Sequence, residues 1–141
     1  MGGRGAGGGG KGGGGGGGVS AVNPSGENFG NLHDEWSTNF KNEPFGPFED
    51  LRGEKNPKYY TVRSGGKLVA GASTSTQYGG TFVHSIASHS KGAGARILTQ
   101  IKGRSTKVRA LAATASGRAF FKKQGFKFTP VKGQYNFTWT K

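Results

Sequence analysis

The sequence predicts an α+β or α/β domain in which a mixed, mostly antiparallel sheet carries flanking helices. Residues 81–87 alternate in polarity as a strand does, and they lead through a turn of small residues into a helix pattern at 96–102. Two strand patterns joined by glycines precede this stretch, and a second strand and helix with an aromatic hairpin follow it. The central unit is therefore a strand, a glycine turn and a helix, which the other elements support.

The first 18 residues have a composition that does not fold. Met1–Gly18 contains 14 glycines, and each glycine loses much conformational entropy when it is fixed. We therefore expect residues 1–18 to form a disordered, flexible tail and residues 19–141 to form one domain. The tail has no apolar stretch as long as a signal peptide or a membrane span, so we expect a cytoplasmic protein without membrane contact.

Residues 19–57 carry one clear helical pattern. Apolar side chains at positions 29, 32, 36 and 40 predict a helix from about Asn28 to Lys41, with Ser25 as a candidate cap. Pro44 and Pro47 then end the helix. A second short helix is predicted from Phe48 to Glu54.

Two strands precede the central unit. Tyr59–Arg63 and Lys67–Ser75 read as strands, and the Ser-Gly-Gly loop between them has the length of a hairpin turn. With the central strand they predict three antiparallel strands in succession.

The turn between the central strand and its helix is a candidate anion site. The first turn of a helix has free backbone N–H groups, and the small residues at 92–95 let a phosphate come close to them. Lys91 and Arg96 add positive charge on either side. The alternative is an ordinary strand-to-helix connection in which Gly92 and Gly94 only allow close packing. Neither a Walker phosphate loop nor a dinucleotide fingerprint is present.

The second half repeats the order of strand and helix. Val108–Ala113 reads as a strand, Ser116–Gln124 as a helix closed by a glycine, and 126–128 with 135–139 as a hairpin. A small sheet needs a large apolar face, so we expect three aromatic residues of the last strand to share one face in the core: Tyr135, Phe137 and Trp139.

Two motifs, in this order and at this separation, resemble the GCN5-related N-acetyltransferase (GNAT) superfamily. The family pattern Q/R-x-x-G-x-G/A before a helix corresponds to His89-Ser90-Lys91-Gly92-Ala93-Gly94. The downstream pattern N-x-x-A-x-x-F-Y-x-x-x-G-F corresponds to the stretch from Thr114 to Phe126. The resemblance covers residues 59–141, and a small phage-encoded member is a plausible setting.

The resemblance implies a sheet whose central parallel strands, 81–87 and 107–113, splay apart to hold acetyl-CoA. The pantetheine arm would pair with the first strand, and an amide near Ile86 would meet the acetyl carbonyl. The amides at 92–95 would hold the pyrophosphate. The residues implied for cofactor binding are Ile86, His89, Ser90, Lys91, Gly92, Ala93, Gly94, Ala95 and Arg96. No metal is implied.

The implied reaction is direct transfer of the acetyl group to an amine. In many members a tyrosine of the second helix gives a proton to the departing thiolate, and the position that aligns with it is Phe121, which has none to give. A thiol has a pKa of about 8.5, so a thiolate can leave unaided at some loss of rate. Thr114, which replaces a frequent Asn, and Ser116 could hydrogen-bond toward the thiol end.

His84 is the candidate general base, because it is the titratable group nearest the expected thioester and an unperturbed histidine titrates near a pKa of about 6.5. Its predicted place on one strand face with Phe82 and Ile86 is also typical of a packed side chain. Asp34, Glu35 or a chain of waters are the alternatives.

Charge is divided unevenly along the chain. All seven acids precede residue 55, where four basic residues leave a net charge of −3, whereas residues 55–141 carry 16 Lys and Arg and no acid. A basic half of this kind attracts the phosphates of coenzyme A, an acidic substrate or nucleic acid, unless the acidic part folds back over it. The absence of cysteine excludes a disulfide scaffold, a thiolate zinc site and a cysteine nucleophile.

Three functions therefore compete. The first is an acetyl-CoA-dependent N-acetyltransferase that acts on a primary amine of a small molecule or a protein. The second is a protein of the same fold without catalysis, a structural or interaction module located in the host cytoplasm or the virion if phage-encoded. The third is nucleic-acid binding through the basic half. The sequence does not determine the oligomeric state.

Overall fold

The computed structural model describes residues 18–22, 26–43 and 46–141. In these residues seven strands form one sheet of order β1-β2-β3-β4-β5-β7-β6, accompanied by three helices. Neighbouring strands are antiparallel except for β4 and β5, which are parallel. The elements are β1 Val19–Val22, α1 Gly26–Asn39, β2 Lys58–Ser64, β3 Lys67–Gln77, β4 Gly80–Ser88, α2 Ala93–Gly103, β5 Lys107–Ala110, α3 Ala115–Lys123, β6 Lys127–Val131 and β7 Tyr135–Thr140.

The sheet separates two hydrophobic clusters. On one face α2 packs on the central strands, where Ile97, Leu98 and Ile101 are fully buried, and α3 packs beside β6 and β7. On the other face α1 packs on β2 and β3 through Leu32 and Trp36. The apolar residues of the helices and of the inner strands are thus buried on the two sides of the sheet, whereas β6 is exposed along its whole length.

The predicted mixed, mostly antiparallel sheet with flanking helices is confirmed. Helix α1 begins and ends two residues before the predicted bounds. The candidate cap Ser25 and the tail up to residue 17 lie outside the described residues. No helix in the described ranges is long and apolar enough to span a membrane.

The predicted helix at 48–54 is wrong. Phe48 and Leu51 are buried against the sheet, and the backbone between them bonds to the sheet and not to itself. The Glu49 N–H donates to Ser73 Oγ at 3.1 Å, and the Glu49 carbonyl accepts from the Tyr59 hydroxyl. Side-chain partners on the sheet therefore replace the hydrogen bonds that a helix would make.

A β-bulge interrupts the pairing of β3 with β4. Ser73 pairs with Ser85 but Thr74 pairs with Val83, so His84 is the extra residue. The bulge shifts the alternation by one residue. Ile86 consequently packs against the same cluster as Val83, and the prediction that it shares a face with His84 is wrong.

Strands β4 and β5 pair only at their beginnings. The parallel register ends at Val83 and Ala110, whereas β4 continues to Ser88. The predicted extension of β5 to residue 113 is wrong, because the Asn136 side chain takes both backbone groups of Ala112. Its Oδ1 accepts from the Ala112 N–H and its Nδ2 donates to the Ala112 carbonyl, each at 2.8 Å. The two strands therefore diverge.

Candidate functional site

A cleft of about 510 Å³ lies where β4 and β5 diverge. One wall is β4 from Val83 to Ser88, and the opposite wall is formed by residues 111–114 with the first two turns of α3. Of the predicted site residues, this cleft collects His84, Ile86, Gly94, Thr114 and Ser116.

The backbone of β4 offers hydrogen-bond donors to the cleft. The His89 N–H donates to the Val69 carbonyl on β3 at 2.8 Å. In an antiparallel pair successive amides point alternately toward and away from the partner strand. The amides of Ser88 and Ile86 are therefore directed away from β3, to the side where β5 is absent.

A second cleft, of about 450 Å³, lies at the N-terminus of α2. Gly92 forms the helix cap with a left-handed φ of 83°, which favours glycine. The Ala93 N–H donates to the Ser90 carbonyl at 3.1 Å and the Arg96 N–H to the Gly92 carbonyl at 3.1 Å. The amides of Gly94 and Ala95 belong to the first turn, where no carbonyl one turn back can accept from them.

The two clefts join beside α2 and α3. Ser88, Gly94 and Phe120 line both of them. A Cβ added to Gly94 would lie 3.4 Å from the Phe120 ring, so a larger side chain at 94 extends into the junction. An elongated ligand can thus run from the divergence of the strands to the N-terminus of α2.

Helix α3 and its C-cap contribute two residues to the second cleft that the sequence analysis missed, Lys123 and Gln124. Lys123 places a positive charge there in addition to Lys91. With Phe120 they lie on one side of the helix at spacings of three and four, and that spacing was the available signal.

His89 lines the second cleft, but its ring is held on the side of α1. It stacks on Phe40 at a centroid distance of 3.8 Å, and its Nε2 lies 2.6 Å from Glu43 Oε1. Arg96, on the second turn of α2, is half-buried and is not among the residues that line either cleft. Burial lowers the pKa of Arg96.

His84 stands at the inner end of the first cleft with its Nε2 2.6 Å from Ser75 Oγ. Its ring contacts Phe82 edge-on at 4.8 Å. Burial lowers the pKa of His84, and the carboxylates of Glu49 and Glu54 partly oppose this effect. The imidazole is therefore neutral at pH 7.

The alternative bases lie elsewhere. Glu35 makes two hydrogen bonds to Arg63, at 2.5 and 2.8 Å, and this partner lowers the pKa of the carboxyl group. Asp34 is exposed on α1. Neither residue lines the clefts.

Thr114 and Ser116 stand at the start of α3. Thr114 Oγ1 accepts from the Gly117 N–H at 3.0 Å and caps the helix, which leaves its hydroxyl proton available as a donor. Ser116 Oγ is 3.3 Å from it. Phe121 lines the same cleft, is 4% exposed and packs on Phe126 and Phe137.

The prediction that three aromatic residues of the last strand share a core face holds for Phe137 and Trp139 only. Tyr135 instead contacts the Tyr78 ring, and the Arg109 guanidinium lies 4.3 Å from its centroid. Asn136 and Phe137 are both buried, so the alternation breaks at the residue that binds Ala112. Among the described residues no three His, Asp or Glu side chains cluster as metal ligands.

Comparison of sequences finds no matching family model and no matching curated protein. Comparison of structures finds acetyltransferases. One from Thermus thermophilus has a TM-score of 0.63 at 14% identity, over 88% of this chain and 96% of that one. An Escherichia coli protein named as an N-acetyl transferase, bound to coenzyme A, has a TM-score of 0.59 at 16% identity. The match covers 87% of this chain and 97% of that one. An Arabidopsis thaliana protein in complex with the bisubstrate analogue CoA-Ac-MVNAL has a TM-score of 0.58 at 14% identity, and the match covers 87% of this chain and 99% of that one.

TM-scores of this size establish the fold, and sequence identities this low show nothing beyond it. The chain has the fold of the GCN5-related N-acetyltransferases, as the two sequence motifs predict.

Proposed function

We propose that this protein is an acetyl-CoA-dependent N-acetyltransferase, which transfers the acetyl group to a primary amine by direct attack on the thioester. The observation that supports the proposal best is the cleft between the diverging strands β4 and β5. This cleft is continuous with a second one at the N-terminus of α2. Solved structures of the same fold with coenzyme A or a bisubstrate analogue bound agree with it.

In this proposal the cofactor lies along both clefts. The pantetheine arm continues the sheet beside β4, where the Ser88 amide takes the place of a donor to a strand, and the Ile86 amide meets the acetyl carbonyl. The pyrophosphate lies at the cap of α2 near the amides of Gly94 and Ala95. Ser90 and the ammonium groups of Lys91 and Lys123 are then close to phosphate oxygens, and a helix N-terminus favours these anions.

The reaction needs an electrophilic carbonyl and a free amine. The amine nitrogen attacks the carbonyl carbon, the C–S bond breaks, coenzyme A leaves as a thiolate, and the extra proton of the nitrogen passes to water. Negative charge develops on the carbonyl oxygen during the attack, so the fixed Ile86 N–H stabilises the transition state more than the ground state. Phe121 has no hydroxyl and so cannot donate a proton to the departing thiolate. Thr114 and Ser116 instead donate hydrogen bonds toward the sulfur.

The acceptor is proposed to be cationic before it reacts. The charges of the Glu49 and Glu54 carboxylates raise the pKa of the His84 imidazole, against the effect of burial. Both residues come from the acidic first part of the chain. An ammonium group is attracted to such a surface, whereas an acidic acceptor is repelled.

Isothermal titration with acetyl-CoA tests cofactor binding. The wild-type chain should bind, and Gly94→Glu should not, because a carboxylate at the junction of the clefts repels the pyrophosphate. Gly103→Glu is the matched control, since it lies in the same helix with nothing within 4 Å of an added Cβ. No heat from the wild-type chain at high micromolar cofactor, or wild-type affinity in Gly94→Glu, would contradict the proposal.

A second candidate function keeps the fold and the cofactor but lacks turnover. Phe121, buried where a proton donor is common in this fold, favours it. The discriminating measurement is mass spectrometry of a panel of amines incubated with enzyme and acetyl-CoA. Acetylated product excludes the inactive form, whereas cofactor binding without any product supports it.

A further inference from the structure

The imidazole of His84 is held by a chain of side chains that ends at a carboxylate. His84 Nε2 lies 2.6 Å from Ser75 Oγ and 3.4 Å from Gln77 Nε2. Gln77 Nε2 donates to Ser75 Oγ at 3.0 Å and to Glu54 Oε1 at 2.7 Å. The loop before β2, strand β3 and the bulge of β4 are thereby joined at one point of the cleft.

The carboxylate of Glu54 determines which atoms donate and which accept in this series of hydrogen bonds. A carboxylate only accepts hydrogen bonds, so the amide nitrogen of Gln77, and not its oxygen, must face Glu54. The flipped amide would place two oxygens 2.7 Å apart. The second N–H of Gln77 is then directed at Ser75 Oγ and at His84 Nε2.

The order of donors and acceptors in these hydrogen bonds determines which nitrogen of His84 carries the proton. Ser75 Oγ already accepts from Gln77, and its own proton finds an acceptor in His84 Nε2 at 2.6 Å. If Nε2 were protonated, its N–H and that of Gln77 would face each other across 3.4 Å. Nε2 is therefore an acceptor, and the proton of the neutral imidazole is on Nδ1.

We propose that Glu54, Gln77 and Ser75 are positioning residues that hold neutral His84 as its Nδ1–H tautomer. His84 then presents a hydrogen-bond donor, and not a basic lone pair, to a substrate in the cleft. This inference rests on the proposed function and replaces the expected role of His84 as general base. Among the described residues both side-chain hydrogen bonds of the imidazole are made by Nε2, so Nδ1 is the nitrogen left for the substrate. A donor there suits an oxygen that gains negative charge.

Protonation of His84 Nε2 is incompatible with its present contacts to Ser75 Oγ and Gln77 Nε2. Ser75 is 2% exposed, so an imidazolium would have to reorient a buried hydroxyl and the amide beside it. Glu49 and Glu54, on the loop that packs over this side, favour the charged form. Arg109 is the cation of the neighbouring strand, paired in register with Phe82, and its guanidinium lies over the Tyr135 ring.

Nitrogen-15 NMR of the full chain tests the tautomer directly. The protein has three histidines, so single substitutions of His33 and His89 assign the imidazole signals. At about pH 7.5 His84 should show a protonated Nδ1 and an unprotonated Nε2. A protonated Nε2, in either the other tautomer or an imidazolium, would overturn the proposal.

Two variants test the chain of partners. Glu54→Gln keeps the size of the side chain but can face Gln77 with either amide atom, so both tautomers of His84 should appear. Ser85→Ala is the matched control, because its hydroxyl donates to the Pro47 carbonyl and not to His84, and here Nδ1–H should persist. A pure Nδ1–H tautomer in Glu54→Gln, or a mixture in Ser85→Ala, would count against the assignment.

Kinetics test the donor role. His84→Asn places an amide N–H where Nδ1–H stood, whereas His84→Gln places it at the position of Nε2. We expect His84→Asn to keep most of kcat and His84→Gln to lose about 10²-fold, the scale of one lost donor. Equal losses in both variants would refute the donor role. The NMR assignment does not depend on turnover, so absence of product in every variant would refute the proposed function and not the tautomer.

Discussion

The two hydrogen bonds from Asn136 to Ala112 keep β5 short, and we expect Asn136→Leu to lower the free energy of unfolding by about 3 kcal/mol. The change removes two bonds of 2.8 Å at a side chain that is 8% exposed. It also leaves the N–H of Ala112 unpaired, at about 1–3 kcal/mol, whereas the Ala112 carbonyl still accepts from Arg118 Nε at 3.2 Å, and burial of the new apolar side chain offsets part of the loss.

Urea unfolding followed by circular dichroism measures this loss, with the m-value checked for constancy. Asn39→Leu is the graded control, because its Nδ2 makes one hydrogen bond, to the Leu68 carbonyl at 3.2 Å. It should cost about 1 kcal/mol. A loss below about 0.5 kcal/mol for Asn136→Leu, or one equal to that of the control, would refute the reasoning. The affinity for acetyl-CoA should also fall, because residues 111–113 are then free to approach β4.

The remaining predictions concern pH, packing and rate. The pKa of His84 is lowered by folding, so below about pH 6.5 the unfolded chain takes up a proton that the folded one does not. The wild type should lose stability there, and His84→Asn should lose less, which thermal melts across this range will measure; identical slopes would contradict the lowered pKa. Gly71→Ala should destabilise by about 1–3 kcal/mol, because its Cβ would lie 2.3 Å from Phe48. In the same urea assay Gly30→Ala, with open space around it, should stabilise by about 0.5–1 kcal/mol. Phe121→Tyr should raise kcat by up to about 10²-fold in a thiol-release assay at saturating cofactor, and an unchanged kcat would show that thiolate departure does not limit the rate.

Local patterns in the sequence determined much of the fold. The alternation in 81–87, the small residues at 92–95 and the apolar spacing in α2 each act within a few residues, so they can be read without the tertiary structure. For the same reason the sequence located the glycine turn and some of the residues that line the clefts, among them His84, Ile86 and Ser116. It missed Lys123, because the helical spacing places Lys123 on one side with Phe120 but does not show that this side lines the second cleft.

Contacts between distant residues decided the rest. His84 becomes a bulge only because β3 pairs out of register beside it, and its partners Ser75 and Glu54 come from other segments. The end of β5 depends on Asn136, 24 residues further along the chain. The sequence by itself therefore determined most of the helices and strands and the part of the cleft that β4 and the glycine turn border, but not β1, the irregular segment 48–54 or the place of Lys123. The tertiary structure alone decided how far the strands part and which side chains hold the His84 imidazole, because both depend on hydrogen bonds between segments that only folding brings together.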